Sequence, residues 1–319
     1  MQAGASFAHQ EIFAVMKISL TKFKDVLALE LKSQAFTAIV LPSEGGKIAS
    51  FKDGEGEEFL VQNLSDKYGH VGLGDSYVDG ECSGFDDMFP TIDEVEIIGA
   101  DGERLLYPDH GEVCRMPFEY QISGDTLVMN YVSSMGYSYK KTLAEKDGKL
   151  SITCEIANFS GKDLDALWAA HCLIRAEDGG EVLLPFLLGE AVDVQFDTSN
   201  RYAAGERLSL SREMLVSNFA LAPCCNKLYF PNKTPKGYIG YRYPSGKVFN
   251  MEFDENTLPS IGVWQNYGVV KGYYCVGLEP CTVGYDTVIN AKKYGQSSPV
   301  RSGKTLSVCL KLGVGENYI

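Results

Sequence analysis

Short runs in which apolar and polar residues alternate, separated by turn residues, extend from Lys17 to the C terminus and constrain the fold more than any other feature. Alternation with a period of two is typical of a β-strand with one buried face. It predicts strands at 126–132 and 137–143. A third strand is predicted at 150–156, because the Asp-Gly pair at 147–148 is a strong hairpin signal between two such runs.

A second hairpin is predicted further along the chain, with strands at 238–243 and 248–253. Helix is predicted only as a short piece at 211–216. The 319 residues show no fixed-period repeat and no evident linker, so the strands are expected to share one core. We therefore predict an all-β fold, a large antiparallel β-sandwich. Residues 1–16 are expected to form a disordered or extended leader, and residues 17–319 a single domain.

The charge of the chain limits its partners. The formal net charge is -13 and the sequence pI is about 4.8. The resulting field repels nucleic acids and anionic membrane surfaces, so a small neutral molecule is the expected ligand. No apolar run is long enough to span a bilayer, and the first residues lack the basic start of a secretory signal. We also expect a cytoplasmic protein that is a monomer or a homodimer.

The nine cysteines are an odd number without any CxxC pair, and several lie in apolar runs. This pattern predicts buried thiols in a reducing compartment. Cys224 and Cys225 are adjacent and therefore point apart on an extended chain, which argues against a zinc site. Neither a metal nor another cofactor is predicted.

Two apolar runs each contain one ionisable side chain. Glu279 lies in the run YYCVGLEP at 273–280, and His171 lies in LWAAHCLI at 167–174. The strand that carries Glu279 could simply end in water, and His171 could be a core histidine whose nitrogen is hydrogen-bonded to a backbone carbonyl. Alternatively, two such interruptions in one sheet could place an acid and a base across a shared cavity.

Two loops contain further polar candidates. His110 and Arg115 lie in YPDHGEVCR at 107–115, where the glycine after the histidine allows a close approach to a ligand. The longest irregular segment, at 72–89, contains Asp86 and Asp87, whose carboxylates could accept hydrogen bonds from the hydroxyl groups of a ligand.

Aromatic side chains at three positions could stack on the apolar face of a ligand ring: Tyr77, Phe85 and Trp264.

Three motifs in order resemble the aldose 1-epimerase (galactose mutarotase) superfamily: HGEVCR at 110–115, WAAH at 168–171 and GLEPCTVGYD at 277–286. Two flanking segments, LPSEGGKIAS at 41–50 and IGVWQ at 261–265, are also similar to family segments. The resemblance covers nearly the whole chain from Lys17. It implies a large β-sandwich, in agreement with the strand pattern.

The resemblance also implies a reaction, the interconversion of the α and β anomers of a sugar by an isomerase. In this reaction a base takes the proton of the anomeric hydroxyl and an acid protonates the ring oxygen. Glu279 matches the family's base and His171 its acid. His110 matches a histidine that binds a sugar oxygen, and Arg115 matches the arginine of the HGFAR form of the motif. The expected substrate is a neutral hexose or a related sugar.

The sequence departs from the family pattern, and two other functions stay open. Cys172 stands where many members have an aromatic residue after the acid histidine, and Asp86 lies near the position of a sugar-contacting arginine. A sugar-binding module that has lost catalysis is one alternative. A glycoside hydrolase or lyase is another. Hydrolysis would need Asp86 or Asp87 to act opposite Glu279.

Overall fold

The computed structural model describes residues 16–99 and 102–316 and is nearly all β, with 48% strand and 6% helix. The described residues form twenty-one strands, which are, in chain order, β1 Lys17–Phe23, β2 Val26–Lys32, β3 Phe36–Leu41, β4 Lys47–Asp53, β5 Phe85–Met88, β6 Val95–Ile98, β7 Arg104–Tyr107, β8 Glu119–Ser123, β9 Thr126–Val132, β10 Tyr137–Lys146, β11 Lys149–Asn158, β12 Ala169–Arg175, β13 Glu181–Leu183, β14 Ala191–Asp197, β15 Arg207–Ser209, β16 Cys224–Tyr229, β17 Tyr238–Arg242, β18 Val248–Phe253, β19 Ser260–Tyr267, β20 Tyr274–Cys281 and β21 Thr305–Gly315. A single short α-helix in this part of the chain, α1, spans Val288–Lys293. Four 3₁₀ turns cover Tyr77–Asp79, Val113–Arg115, Arg212–Met214 and Phe219–Leu221.

Two large sheets form the sandwich. Across the described ranges, the larger has eleven strands in the order β1-β2-β3-β4-β5-β12-β20-β19-β16-β14-β15, and the smaller has eight in the order β13-β17-β18-β21-β11-β10-β9-β8. Their inner faces meet in one buried core. Trp168, directly before β12, donates its indole N–H to the Tyr139 hydroxyl of β10 at 2.7 Å. Phe51 of β4 packs edge-on against Phe249 of β18. The predicted antiparallel β-sandwich is confirmed.

Both predicted hairpins are confirmed. Strands β10 and β11 pair from Tyr137 with Asn158 to Lys146 with Lys149, around the turn that contains Asp147 and Gly148. Both turn residues have positive φ angles, 56° and 73°, as a tight hairpin turn requires. Strands β17 and β18 form the second hairpin. The segment predicted as helix at 211–216 contains only a 3₁₀ turn.

The segment at 72–89 is not structureless to its end, because its last residues form strand β5 and pair with β12. Residues 1–15 of the predicted leader lie outside the described residues, and Met16 is buried. The assignment of 17–319 to one domain stays a prediction. Among the described helices, none is long and apolar enough to cross a membrane.

Candidate active site

Neighbouring strands of the larger sheet place His171 opposite Glu279. In the antiparallel pair β12 and β20, Cys172 pairs with Leu278 and Ala169 with Cys281, so the register aligns position 171 with position 279. Directly opposite residues of an antiparallel pair have their side chains on the same face. The two side chains that interrupt separate apolar runs of the sequence therefore lie side by side on one face of the sheet.

Glycines make room for the Glu279 carboxylate. Gly277 precedes it on the same face of β20, and Gly262 pairs with it from β19. A Cβ atom at Gly277 would lie 2.8 Å from Glu279 Oε1, and one at Gly262 would lie 3.3 Å from Oε2. Side chains at these two positions would press directly on the carboxylate, so the glycines determine where it can lie.

Glu279 is fully buried, and its two carboxylate oxygens have different surroundings. Oε2 accepts a hydrogen bond from Lys227 Nζ of β16, whereas Oε1 has no hydrogen-bond partner in the described structure. Burial raises the pKa of Glu279, Lys227 opposes that effect, and the nearby Asp286 adds to it. A carboxylate with a raised pKa and one free oxygen is suited to take up and release a proton near neutral pH.

Asp286 completes the charged group around Lys227. Its Oδ1 lies 3.3 Å from Lys227 Nζ and accepts a hydrogen bond from the Tyr229 hydroxyl at 2.6 Å. Gln195 donates to Oδ2 at 2.9 Å. Asp286 and the preceding Tyr285 both have positive φ angles, 63° and 68°, which non-glycine residues adopt at an energetic cost. The segment after β20 adopts this conformation where it brings Asp286 to Lys227.

The His171 imidazole is surrounded by other rings. Trp264 stacks on it at 6.2 Å between ring centroids, and His110 and Tyr77 approach it edge-on at 5.3 and 5.5 Å. Its Nδ1 has no hydrogen-bond partner among the described residues. Burial, together with the neighbouring His110 and Lys227, holds the pKa of His171 well below its usual value. The imidazole is therefore neutral at pH 7.

His110 reaches the same face from a loop. Its Nδ1 lies 2.7 Å from Asp109 Oδ1, and its ring stacks on Tyr77 at 4.2 Å. Its φ angle is 59°, in the left-handed region, and the following Gly111 has a φ of 69°. A Cβ atom at Gly111 would lie 2.2 Å from the Phe89 carbonyl oxygen, so only glycine allows the loop to pack this closely on the sheet.

A cavity of about 180 Å³ opens beside these residues. The polar and charged side chains that line it are Tyr77, Asp93, His110, His171, Lys227 and Asp286, and the apolar or aromatic ones include Val78, Cys82, Ile92, Leu173, Phe196, Trp264 and Val270. Glu279 does not line it directly, but contacts the lining residue Lys227 and lies opposite another, His171. The candidate base is thus separated from the cavity by the side chains that line it.

Of the seven site residues predicted from the sequence, the structure brings four together here: Glu279, His171, His110 and Trp264. Arg115 lies elsewhere, with its side chain almost fully buried. Its guanidinium donates to the backbone carbonyls of Gly72, Asp75 and Asp109. It therefore holds the loop that carries Tyr77 against the loop that carries His110.

Asp86 and Asp87 lie in strand β5 rather than in a solvated loop, and neither lines the cavity. Asp86 faces the same side as His171, with which it pairs across the strands, and its Oδ2 accepts from Lys47 and from the Tyr77 hydroxyl, each at 2.5 Å. Asp87 faces the other sheet, where it forms an ion pair with Lys141 of β10 at 2.9 Å. Adjacent strand residues point to opposite faces, so the two aspartates cannot act together.

Sequence reasoning missed Lys227 and Asp286 as members of the site. Lys227 is a lone charge in the run CCNKLYF at 224–230, the same signal that pointed to Glu279. Asp286 is the last residue of the motif at 277–286, but nothing local indicated its partner. No cluster of three or more histidine, cysteine, aspartate or glutamate side chains within the described residues is arranged to hold a metal ion.

Comparison with known proteins supports the fold. No family model matches the chain, and no curated protein matches its sequence significantly. Among solved structures, a protein from Synechocystis sp. PCC 6803 superposes with a TM-score of 0.72 at 14% identity, over 93% of this chain and 99% of its own. A galactose mutarotase-like protein from Clostridium acetobutylicum gives 0.68 at 13% identity, over 94% and 99%. The GalM/aldose epimerase homologue from C. elegans gives 0.62 at 13% identity, also over 94% and 99%.

The chain therefore has the galactose mutarotase-like fold. The resemblance found in the sequence motifs is confirmed at this level, since proteins of that description share the architecture over almost their whole length. At such low identity the likeness concerns the fold, and function has to be argued from the site.

Proposed function

We propose that the protein is an aldose 1-epimerase, an isomerase that interconverts the α and β anomers of a neutral hexose or related sugar. The observation that carries the proposal is the pairing of His171 with Glu279 across adjacent strands, beside a cavity on a mutarotase-like fold. A module that only binds sugar would need polar contacts but no paired proton donor and acceptor.

The reaction requires two coordinated proton transfers. Glu279 takes the proton of the hydroxyl on C1, the bond between C1 and the ring oxygen breaks, and the ring oxygen receives a proton from the donor on the other side. The open-chain aldehyde then rotates about its C1–C2 bond and closes on its other face by the same steps in reverse. No net proton, electron or water molecule is consumed.

Glu279 acts as the base through Oε1, the oxygen without a partner. Its raised pKa gives the carboxylate enough basicity to share a proton with an anomeric hydroxyl. Since the carboxylate lies behind the cavity wall, sugar binding has to be accompanied by small side-chain movements at Lys227 or Trp264. Such local adjustments on binding are common.

His171 is the group that donates to the ring oxygen. Because its pKa is held low, the imidazole of the empty cavity is neutral and carries a single N–H. To give a proton to the ring oxygen, the imidazole takes one up from solvent as the sugar binds, and the low pKa then makes the imidazolium a strong acid. Ring closure returns the proton to it. The flanking rings of Trp264 and His110 keep its plane fixed.

The other predicted residues take supporting roles. His110 lines the cavity and hydrogen-bonds a sugar hydroxyl, while Trp264 presents its ring to the apolar face of the pyranose. Arg115 acts indirectly by holding the loops of Tyr77 and His110 together. Asp86 orients the Tyr77 hydroxyl, and Asp87 holds the two sheets together.

The state of the cysteines bears on the cellular location of the protein. Eight of the nine cysteines are free and buried, which accords with a reducing compartment, and we propose a cytoplasmic protein. A monomer or a homodimer stays a prediction.

Proton NMR of anomer equilibration tests the function directly. Starting from pure α-glucose and pure α-galactose, the wild type should equilibrate the anomers faster than buffer, and Glu279→Gln and His171→Asn should remove the acceleration. Wild-type rates at the buffer baseline across a broad sugar panel would contradict the proposal. If saturation-transfer signals then still showed binding, the sugar-binding module would be the better interpretation.

A further inference from the structure

Lys227 makes the charged contact with the candidate base. Its side chain is 5% exposed, and its Nζ donates to Glu279 Oε2 while lying 3.3 Å from Asp286 Oδ1. Burial works against a charged lysine, but the carboxylates of Asp286 and Glu279 outweigh that cost and raise the pKa of Lys227. The lysine is therefore a fixed positive charge within the site.

Asp286 is itself held from several directions. Tyr229 and Gln195 donate to its two carboxylate oxygens, and its backbone carbonyl accepts from the amides of Ile92 and Asp93 at 3.0 and 3.1 Å. The positive φ angles at Tyr285 and Asp286 show that the chain is bent at a cost to reach this place. A group held by so many contacts positions Lys227 more rigidly than a solvated carboxylate could.

We propose that Lys227 is a positioning residue for the proposed reaction, which keeps Glu279 ionised, fixes one of its oxygens and leaves the other free for the anomeric proton. Asp286 in turn limits how strongly Lys227 stabilises the ionised Glu279, because both carboxylates contact the same ammonium group. The positioning role rests on the proposed function. The electrostatic coupling of Lys227 and Asp286 to Glu279, however, can be measured without any sugar.

The charged and titratable groups that face Glu279 come from several elements. Lys227 and Tyr229 lie on β16, Asp286 on the segment after β20, His171 on β12 and His110 on the loop before the 3₁₀ turn at 113–115. Lys227 favours the ionised carboxylate, as does His110, and Asp286 disfavours it. Removing Lys227 and removing the charge of Asp286 should therefore move the titration of Glu279 in opposite directions.

The experiment is a side-chain ¹³C NMR titration of Glu279 in the ligand-free, full-length protein, with the resonance assigned by its absence in Glu279→Gln. Relative to wild type, Lys227→Met should titrate about one to three pH units higher, the range that an adjacent opposite charge exerts. Asp286→Asn should titrate lower. Lys227→Arg, which keeps the charge, should stay close to wild type, and Lys304→Met, which removes an exposed lysine, should not differ from it.

An unchanged titration of Glu279 in folded Lys227→Met would overturn the proposal, as would shifts of the same sign in Lys227→Met and Asp286→Asn. If Lys227→Met does not fold, Lys227→Gln and Asp286→Asn supply the same comparison. The pH profile of anomer exchange should follow the same order. If wild type shows no exchange while the NMR shifts have the expected signs, the proposed function fails and the coupling stands.

Discussion

His171 and Glu279 face each other from adjacent antiparallel strands, yet each has one buried polar atom without a hydrogen-bond partner in the described structure, Nδ1 of the histidine and Oε1 of the glutamate. Buried polar groups are normally satisfied, and the exceptions call for a physical reason. Two unsatisfied atoms on neighbouring residues beside a cavity have such a reason if a ligand supplies the missing partners.

The first prediction concerns the base. Glu279→Gln keeps the shape of the side chain but cannot accept a proton, so anomer exchange should fall by about 10²- to 10⁴-fold, the range for a lost general base. Exchange rates from one-dimensional proton NMR measure the effect. Glu119→Gln, on the exposed edge strand β8, is the matched control and should retain wild-type rates. Substantial exchange by Glu279→Gln would remove Glu279 from the mechanism.

The second prediction concerns the space around the base. In Gly277→Ala the new methyl group would lie 2.8 Å from Glu279 Oε1 and displace the carboxylate. Because a displacement of about 1 Å in a catalytic group can cost roughly 100-fold, exchange should fall about that much. Gly315→Ala, where a Cβ atom meets nothing within 4 Å, should behave as wild type. Circular dichroism should show both variants folded. Full activity in Gly277→Ala would mean that the carboxylate needs no such precision.

The third prediction concerns pH and stability. The pKa of His171 lies well below its usual value of 6.5 in the folded protein, so below pH 6.5 the unfolded chain binds a proton that the folded protein does not. Stability should therefore fall as the pH drops below about 6.5, with a slope of up to about 1.4 kcal/mol per pH unit from this group. Urea titrations at several pH values should show a smaller slope for His171→Asn.

The fourth prediction concerns the ion pair between the sheets. Asp87 and Lys141 are fully buried and 2.9 Å apart. Asp87→Asn leaves an uncompensated charge in the core and should lower the free energy of unfolding by about 3–5 kcal/mol. Glu155→Gln breaks the exposed pair with Lys140 and should cost only about 0–1 kcal/mol. The double variant Asp87→Leu with Lys141→Met should regain most of the loss. Denaturant unfolding measures all four proteins, and equal costs at the two sites would contradict the argument.

The fifth prediction concerns the charge of the substrate. Asp93 and Asp286 line the cavity, and the positive charge of Lys227 is already shared by Glu279 and Asp286. A sugar phosphate would meet uncompensated negative charge, so hexose 6-phosphates should be equilibrated much more slowly than the neutral hexoses. Phosphorus and proton NMR on matched sugars would measure this. Comparable rates for both would show that the phosphate avoids the carboxylates.

Much of the fold could be predicted because its signals are local. The alternation at 126–132 and 137–143 and the Asp-Gly turn at 147–148 fix strands and hairpin register over a few residues, and the structure has them where the pattern predicts. Lone ionisable side chains in apolar runs likewise pointed to His171 and Glu279. Lys227 carries the same signal, as the lone charge in its run.

The assignment of Asp86 and Asp87 shows where local signals fail. The sequence placed both in a polar loop, whereas the structure pairs β5 with β12 and directs the two carboxylates to opposite faces. Nothing within the segment indicates that Lys47 and Lys141, which are distant in sequence, neutralise them. Without those partners a pair of aspartates is expected in water, and the loop prediction follows from that expectation.

The sequence by itself determined the strands, the tight turns, and the positions where a buried charge would need a reason. The tertiary structure alone decided the strand order β5-β12-β20-β19-β16, which brings His171, Lys227 and Glu279 together from three separate segments. The physical reason is that side-chain alternation is a property of each strand, whereas the choice of neighbouring strands depends on how all apolar faces and buried charges of the chain are satisfied together.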